Sequence, residues 1–390
     1  MKIFLLFTFL SIISILSLNA QCSGEFFNQS DVDNFAINCP GLDSLPSFML
    51  HYSQQDPITN LDGLSNVRYI GGDVYIEGFF LTDISGLNNV ERIKGDLSFW
   101  GYDSMRNMDA FTSLVEINGN LIIDRTRFDT ISGFGSIEKI DLDIFICDNW
   151  ALQVSEPLGP INNVRSLYLD DNYRLLNLTC LSNFDSVGYL YIAENNAIKD
   201  FSGLNNLRYV ETLKIDYNES LENLVGLENL ETIVEFLHII FNPILKSIES
   251  LESLKIEEIE EVSICSNDVL SLCCIDNFNK RLIGPKPTLL WSNASGCDSE
   301  TDILNDCASV SVSEYLYEST LFVTPNPVRQ TLFVDRIKNF NYEIVDMQGK
   351  VNEKGKSLSG EIYVSHLIPA VYVCHIMSET GSYNFKFVKQ

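Results

Sequence analysis

One short pattern, apolar–any–apolar, returns along this chain at almost constant spacing. Its first residue is Val74, Leu97, Leu121, Ile144, Leu167, Leu190, Leu213, Leu237 and Val262 in turn. The steps between copies are 23, 24, 23, 23, 23, 23, 24 and 25 residues. Two places on, every copy again has a large apolar residue, from Ile76, Phe99 and Ile123 to Ile239 and Ile264. A period held this tightly predicts a mainly β solenoid of about 9–10 coils, one coil per repeat. Side chains alternate along a strand, so both apolar positions point inward and the residue between them points out. A lone coil cannot bury its apolar side, whereas a stack can, so the two ends need caps.

Each coil follows one plan. A strand such as Asp73–Ile76 is followed by a loop, a Gly-Leu turn and two further apolar residues. The turn is plain at Gly63-Leu64, Gly86-Leu87, Gly203-Leu204 and Gly226-Leu227, and Cys180-Leu181 replaces it once. Residues 21–47 suit an N-terminal cap, with Cys22–Cys39 as its expected bridge. A degenerate first coil is expected at Met49-Leu50-His51, with Leu50 aligned to Val74. The last coil has room for a short helix between Cys265 and Phe278 and a final strand at Thr288–Trp291. Repeats and cap thus occupy residues 48–297. Residues 298–322 are acidic, then rich in Ser and Val, and are expected to form an irregular linker. From 323 to 390 the pattern changes to short strands around Leu332, Ile344, Ile362, Val371–Ile376 and Phe385–Val388, which predicts a small antiparallel β-sandwich.

The chain has 390 residues and a net charge of −27. From Pro325 onward eight Lys/Arg face six Asp/Glu, about +2, so the remainder carries −29. Such a body repels phosphate backbones and anionic lipid, which argues against nucleic acid and membrane surfaces as partners. Residues 1–20 have one basic residue (Lys2), an apolar run from Ile3 to Leu16 and a small-residue exit at Ala20, the pattern of a secretory signal. No other stretch is apolar enough to span a bilayer. Ten cysteines in an exported chain are compatible with disulfides, and seven of them (Cys22, Cys39, Cys265, Cys273, Cys274, Cys297 and Cys307) gather at the two ends of the repeats. The pair Cys273-Cys274 lacks the C-x-x-C spacing of zinc sites, so no metal is expected.

Two resemblances follow from these residues. Gly72-Asp73-Val74-Tyr75-Ile76, Gly95-Asp96-Leu97-Ser98-Phe99 and Gly119-Asn120-Leu121-Ile122-Ile123, with the Gly-Leu turns between, resemble the receptor L-domain. That likeness implies a right-handed, leucine-rich-repeat-like β-helix, although coils four to seven lose the Gly-Asp start. Thr324-Pro325-Asn326-Pro327-Val328, Ile344–Lys350, Val364-Ser365-His366-Leu367, Val371-Tyr372-Val373 and Phe385–Lys389 resemble the type A sorting domain of the type IX secretion system of Bacteroidetes, with Ala370 where that family usually has Gly. It implies export across the outer membrane, contact with the secretion machinery through residues 323–390, and release or surface attachment.

Catalytic chemistry finds little support. The chain has four histidines, and His51 and His238 lie almost the whole repeat region apart. Asp124, Asp170 and Asp216 take equivalent places in alternate coils, about 9.6 Å apart at twice the sheet spacing, and are expected to be solvated. Asp73 and Asp96 suit a turn-stabilising role, and Asp170-Asp171-Asn172 lacks a calcium-loop signature. No cofactor is expected. The outward row holds Tyr75, Phe145, Tyr168, Tyr191 and His238, flanked by Trp100, Tyr189 and Phe236, and exposed aromatics on a rigid sheet are common binding anchors. The expectation is a non-enzymatic, secreted or surface-held adhesion protein that binds a protein or glycan through this row. The alternative is a carbohydrate-active β-helix lyase or hydrolase.

Overall fold

A computed structural model describes residues 22–390 apart from 78–79, 102–104, 109, 276–277, 283, 311–322, 325–326, 335–337, 347–349 and 379–380. The expected signal segment 1–20 lies outside the described residues, as do 311–322 of the expected linker and positions 325–326 and 347–349 of the tail motifs. The chain divides into two units, residues 1–305 and 306–390.

In the first unit every repeat contributes one strand to a 12-stranded sheet. It runs from Glu25–Phe26 through Phe48–Leu50, Val74–Glu77 and Leu97–Trp100 to Glu261–Cys265 and Thr288–Trp291, and its pairings are parallel. The register matches copy to copy: Val74 pairs with Leu97, Leu121 with Ile144, and Leu213 with Leu237. The inward residues Val74, Ile76, Leu97, Leu167, Leu190 and Ile215 are fully buried. Each such side chain contributes about 1.5–3 kcal/mol when removed from water. At the N-terminal end the alignment differs from expectation. Phe48, not Leu50, pairs with Val74, and Phe48 is the buried residue. The preceding segment adds the extra strand Glu25–Phe26, and the Cys22–Cys39 disulfide closes this cap. At the other end Cys273 is bonded to Cys297. Buried Arg281 on the helix Phe278–Leu282 donates to the carbonyls of Ile259, Glu260 and Pro287 and to Thr288 Oγ1.

Two side-chain ladders bind the repeats together. The first lies at the Gly-Asp corners, where a five-stranded parallel sheet (Ser44–Leu45, Tyr69–Ile70, Arg92–Ile93, Glu116–Ile117, Lys139–Ile140) meets the long one. Asp73 Oδ1 accepts the Asp96 N–H at 2.9 Å, Asp96 Oδ1 the Asn120 N–H at 2.7 Å, and Asn120 Oδ1 the Asp143 N–H at 3.1 Å. Glycine is needed beside it, because a Cβ on Gly95 would sit 2.0 Å from Asp73 Oδ1. Beyond Asp143 the corner disappears and the chain runs straight through the long strands Asn163–Asp170, Ser186–Ala193 and Tyr209–Asp216. This is the physical meaning of the lost Gly-Asp start.

The second ladder is asparagine. Asn149, Asn172, Asn195, Asn218, Asn242 and Asn267 are fully buried. Each donates from Nδ2 to a strand carbonyl of the repeat before, as in Asn172 to Ile146 at 2.7 Å and Asn195 to Leu169 at 2.8 Å. Each Oδ1 accepts the backbone N–H of the equivalent residue one repeat earlier, Thr126 for Asn149 and an asparagine for the others, as in Asn195 N–H to Asn218 Oδ1 at 3.1 Å. The residue just before each asparagine is left-handed: Asp148, Asp171, Glu194, Tyr217, Phe241, Ser266 and Ser292 have φ between 53° and 59°.

The expected irregular stretch 298–322 contains a helix, Glu300–Val310. Ser299 caps it, its Oγ accepting the Asp302 N–H at 3.1 Å, and Glu300 and Asp302 place negative charge at the helix N-terminus. The second unit holds two antiparallel sheets. One comprises Val323–Thr324, Thr331–Val334 and Glu361–Tyr363, the other Val351–Ser357, Phe340–Asp346, Ala370–Ser378 and Gly381–Lys389. Leu332, Ile344, Ile362, Tyr372, Cys374 and Phe387, drawn from both, form its core. Val351–Ser357 had no apolar signal because it is a polar sheet edge, tied to its neighbour by Lys354–Glu343 at 2.9 Å.

Candidate functional site

Parallel register turns the variable residue of each copy into one column across the long sheet. Tyr75 pairs with Ser98, Ser98 with Ile122, Ile122 with Phe145, Phe145 with Tyr168, Tyr168 with Tyr191, Tyr191 with Lys214 and Lys214 with His238. A second column two residues earlier runs Asp143, Ser166, Tyr189, Thr212, Phe236 and Glu261. A third, two residues later, runs Glu77, Trp100, Asp124, Cys147, Asp170, Ala193 and Asp216.

The expected aromatic row is therefore not one surface. Phe145, Tyr168 and Tyr191 come together, and Tyr189 joins them from the second column. Phe145 stacks on Tyr168 with ring centroids 4.7 Å apart and planes 8° from parallel. Tyr168 meets Tyr189 at 5.3 Å and Tyr191 edge-on at 6.3 Å, and the Lys214 ammonium lies 5.6 Å from the Tyr189 ring. All four rings are half-buried. Tyr75 stands three strand steps from Phe145, about 14 Å, and donates instead to Glu77 at 3.2 Å. Trp100 lies against the Arg125 guanidinium at 6.0 Å. His238 packs on Phe236 at 5.8 Å, with Glu261 3.6 Å from its Nε2. Burial, with Lys214 adding to it, holds its imidazole below the ordinary histidine pKa.

The carboxylates of the third column are not the solvated groups expected. Asp124 is 9% exposed, and its Oδ1, like that of Asp216, is buried without a hydrogen-bond partner. Burial, reinforced by Asp171 and Asp148, pushes Asp170 up to about 6, and burial against the opposing pull of Lys214 does the same to Asp216. The Tyr191 phenol is pushed up to about 12 by burial and by Asp170 and Asp216. Cys147, in the same column, carries no disulfide, and burial beside Asp170, Asp124 and Asp148 raises its thiol to about 12. A thiol so disposed is a poor nucleophile. Asp143 differs, since the Arg165 guanidinium holds its carboxyl below the usual range. Among the described residues no group of three His, Cys, Asp or Glu side chains is placed to hold a metal ion.

A group of more exposed aromatics lies beside the asparagine ladder: Trp150 at 48%, Tyr173 at 45%, Tyr217 at 49% and Phe241 at 41%. Their signal was present in the sequence, because each directly flanks a ladder asparagine.

Residues 323–390 match the family described as the secretion system C-terminal sorting domain. No curated protein matches the chain. The match indicates export through the type IX secretion system and a location that is secreted or attached to the outer cell surface. No helix among the described residues is long and apolar enough to cross a membrane.

Proposed function

We propose that the exported chain is an adhesion protein without catalytic activity, whose long-sheet face binds a protein or glycan. The repeat body then acts as a solenoid of the receptor L-domain kind, in keeping with three parallel sheets in register by one repeat. One observation carries the binding reading: Phe145, Tyr168, Tyr189 and Tyr191 converge as half-exposed rings on a rigid sheet. Such rings offer large contact area at small entropic cost. The test is an array of glycans and surface proteins probed with the full chain and with Tyr168→Ala plus Tyr191→Ala. Loss of the captured ligand in the double variant supports the reading, and unchanged capture removes this face. Delivery is tested by removing residues 323–390, which strands the protein in the periplasm if the tail acts as a sorting signal.

A second reading draws on the carboxyls of Asp170 and Asp216, both raised to about 6 and near aromatic rings. Raised carboxyls are what a general acid needs. Two strand steps put them about 9.6 Å apart, at the upper edge of the ~6.5–9.5 Å of inverting glycosidases. New reducing ends or unsaturated products from a polysaccharide panel, lost in Asp170→Ala, would establish the enzyme and sink the non-catalytic reading.

A further inference from the structure

Tyr217 and Phe241 occupy positions that the repeat makes left-handed, at φ 57° and 58°. Other copies put Arg125, Asp148, Asp171, Glu194, Ser266 and Ser292 there. Aspartate and asparagine tolerate this conformation, whereas a bulky aromatic residue in it is an outlier that costs about 1–2 kcal/mol. Burial does not offset that cost, because both rings are exposed, at 49% and 41%. They stack on each other at 4.7 Å and 17° and stand over a groove of about 530 Å³. Glu194, Glu219 and Asp268 also line the groove, and no lysine or arginine among the described residues does. Burial raises the Glu194 carboxyl, reinforced by Asp171, Asp170 and Asp148 along the same edge. Strained residues kept where they contribute to no buried core point to binding.

We propose that the Tyr217–Phe241 groove is a second binding site, distinct from the long-sheet face, for the lysine or arginine side chains of a basic polypeptide segment. Charge complementarity selects this occupant. The groove is lined by a stacked aromatic pair and three carboxylates with no counter-cation among the described lining residues, on a body of net −29, and a desolvated cation over the outer face of an aromatic ring is attracted by the ring quadrupole. Anionic ligands are repelled by the same groups.

The test uses the full chain and a fluorescein-labelled hexa-arginine peptide, with hexaglutamate and cellohexaose as comparison probes, read by fluorescence anisotropy. The decisive variant is Tyr217→Asn plus Phe241→Asn. It leaves net charge unchanged and places a residue suited to left-handed backbone at both positions. Hexa-arginine should bind the parent in a salt-sensitive way and bind the double variant roughly tenfold more weakly, with a thermal midpoint equal to or above the parent's. Glu219→Gln plus Asp268→Asn should weaken binding as well, and Tyr168→Ala plus Tyr191→Ala should leave it unchanged. Equal affinity for parent and Tyr217/Phe241 variant would overturn the proposal, since general acidity would then account for binding. So would a lowered thermal midpoint in that variant, or cellohexaose binding that it abolishes while hexa-arginine binding persists.

Discussion

Arg165 forks onto the Asp143 carboxylate, Nε to Oδ1 at 2.8 Å and Nη2 to Oδ2 at 2.5 Å, at the repeat where the corner ladder ends. Every earlier member of that ladder spends its side-chain oxygen on the backbone N–H of the next copy. Asp143 keeps the contact with the next copy, where the Ser166 backbone N–H and hydroxyl donate to it, and it adds the Arg165 guanidinium.

The pH response of this closure has a definite sign. Asp143 is held below the ordinary carboxylate range, chiefly by the Arg165 hydrogen bonds. Its pairing therefore contributes stability above the unfolded-state pKa of about 3.9, and the contribution is lost as pH falls through the lower folded value. Arg165→Met should be less stable than the parent at pH 7, with the difference shrinking as pH falls below the unfolded-state value of about 3.9. Urea denaturation at the two pH values measures it. A difference that does not change with pH would assign the effect to packing of the arginine stem.

The carboxyl of Asp216 behaves in the opposite way. Its folded pKa of about 6 lies above the unfolded value, so the native state holds the proton more tightly and stability falls as pH rises from about 4 to 6. Asp216→Asn removes the buried charge and should stabilise the protein by roughly 1–3 kcal/mol at pH 7 and by almost nothing at pH 4. Equal effects at both pH values would sink this account.

The Asn195 side chain joins two repeats. Its Nδ2 donates to the Leu169 and Ala193 carbonyls, both at 2.8 Å, and its Oδ1 accepts the Asn172 N–H at 3.3 Å. Asn195→Ala leaves several buried backbone groups without partners, at about 1–3 kcal/mol for each group left unsatisfied. The expected loss is about 3–5 kcal/mol in chemical denaturation, and a loss under about 1 kcal/mol would show that the ladder is dispensable.

Glycine 95 is held by proximity rather than by dihedral angle. A Cβ there meets Asp73 Oδ1 at 2.0 Å and the Asp73 amide nitrogen at 2.6 Å, whereas one on Gly135 meets nothing within 4 Å. Gly95→Ala should cost about 1–3 kcal/mol as overpacking, and Gly135→Ala should stay within about 0.5 kcal/mol of the parent. Indistinguishable thermal midpoints for the two variants would refute the close-approach argument.

Much of the repeat unit was legible because its signals are local. Alternation put Val74 and Ile76 inside and Tyr75 outside, and the 23-residue step aligned each strand with the next. The Cys22–Cys39 bridge and the tail strands around Ile344 and Val371–Ile376 followed from short-range patterns in the same way. The Ser299-capped helix is not legible in the sequence because an acidic, serine-containing stretch also suits a linker. The polar edge Val351–Ser357 lacks the alternation that marks a strand.

The sequence by itself determined the period, the inward and outward parity of each strand, the need for caps and the sorting tail. Only the tertiary structure decided which outward residues meet: that Phe145, Tyr168, Tyr189 and Tyr191 cluster while Tyr75 stands apart, that Asp170 and Asp216 are raised, and that Tyr217 and Phe241 are strained and exposed. The physical reason is that these contacts join residues one or more repeats apart. Each depends on the register of successive strand pairs and on how much water the adjoining columns exclude, and neither quantity is written into any one repeat.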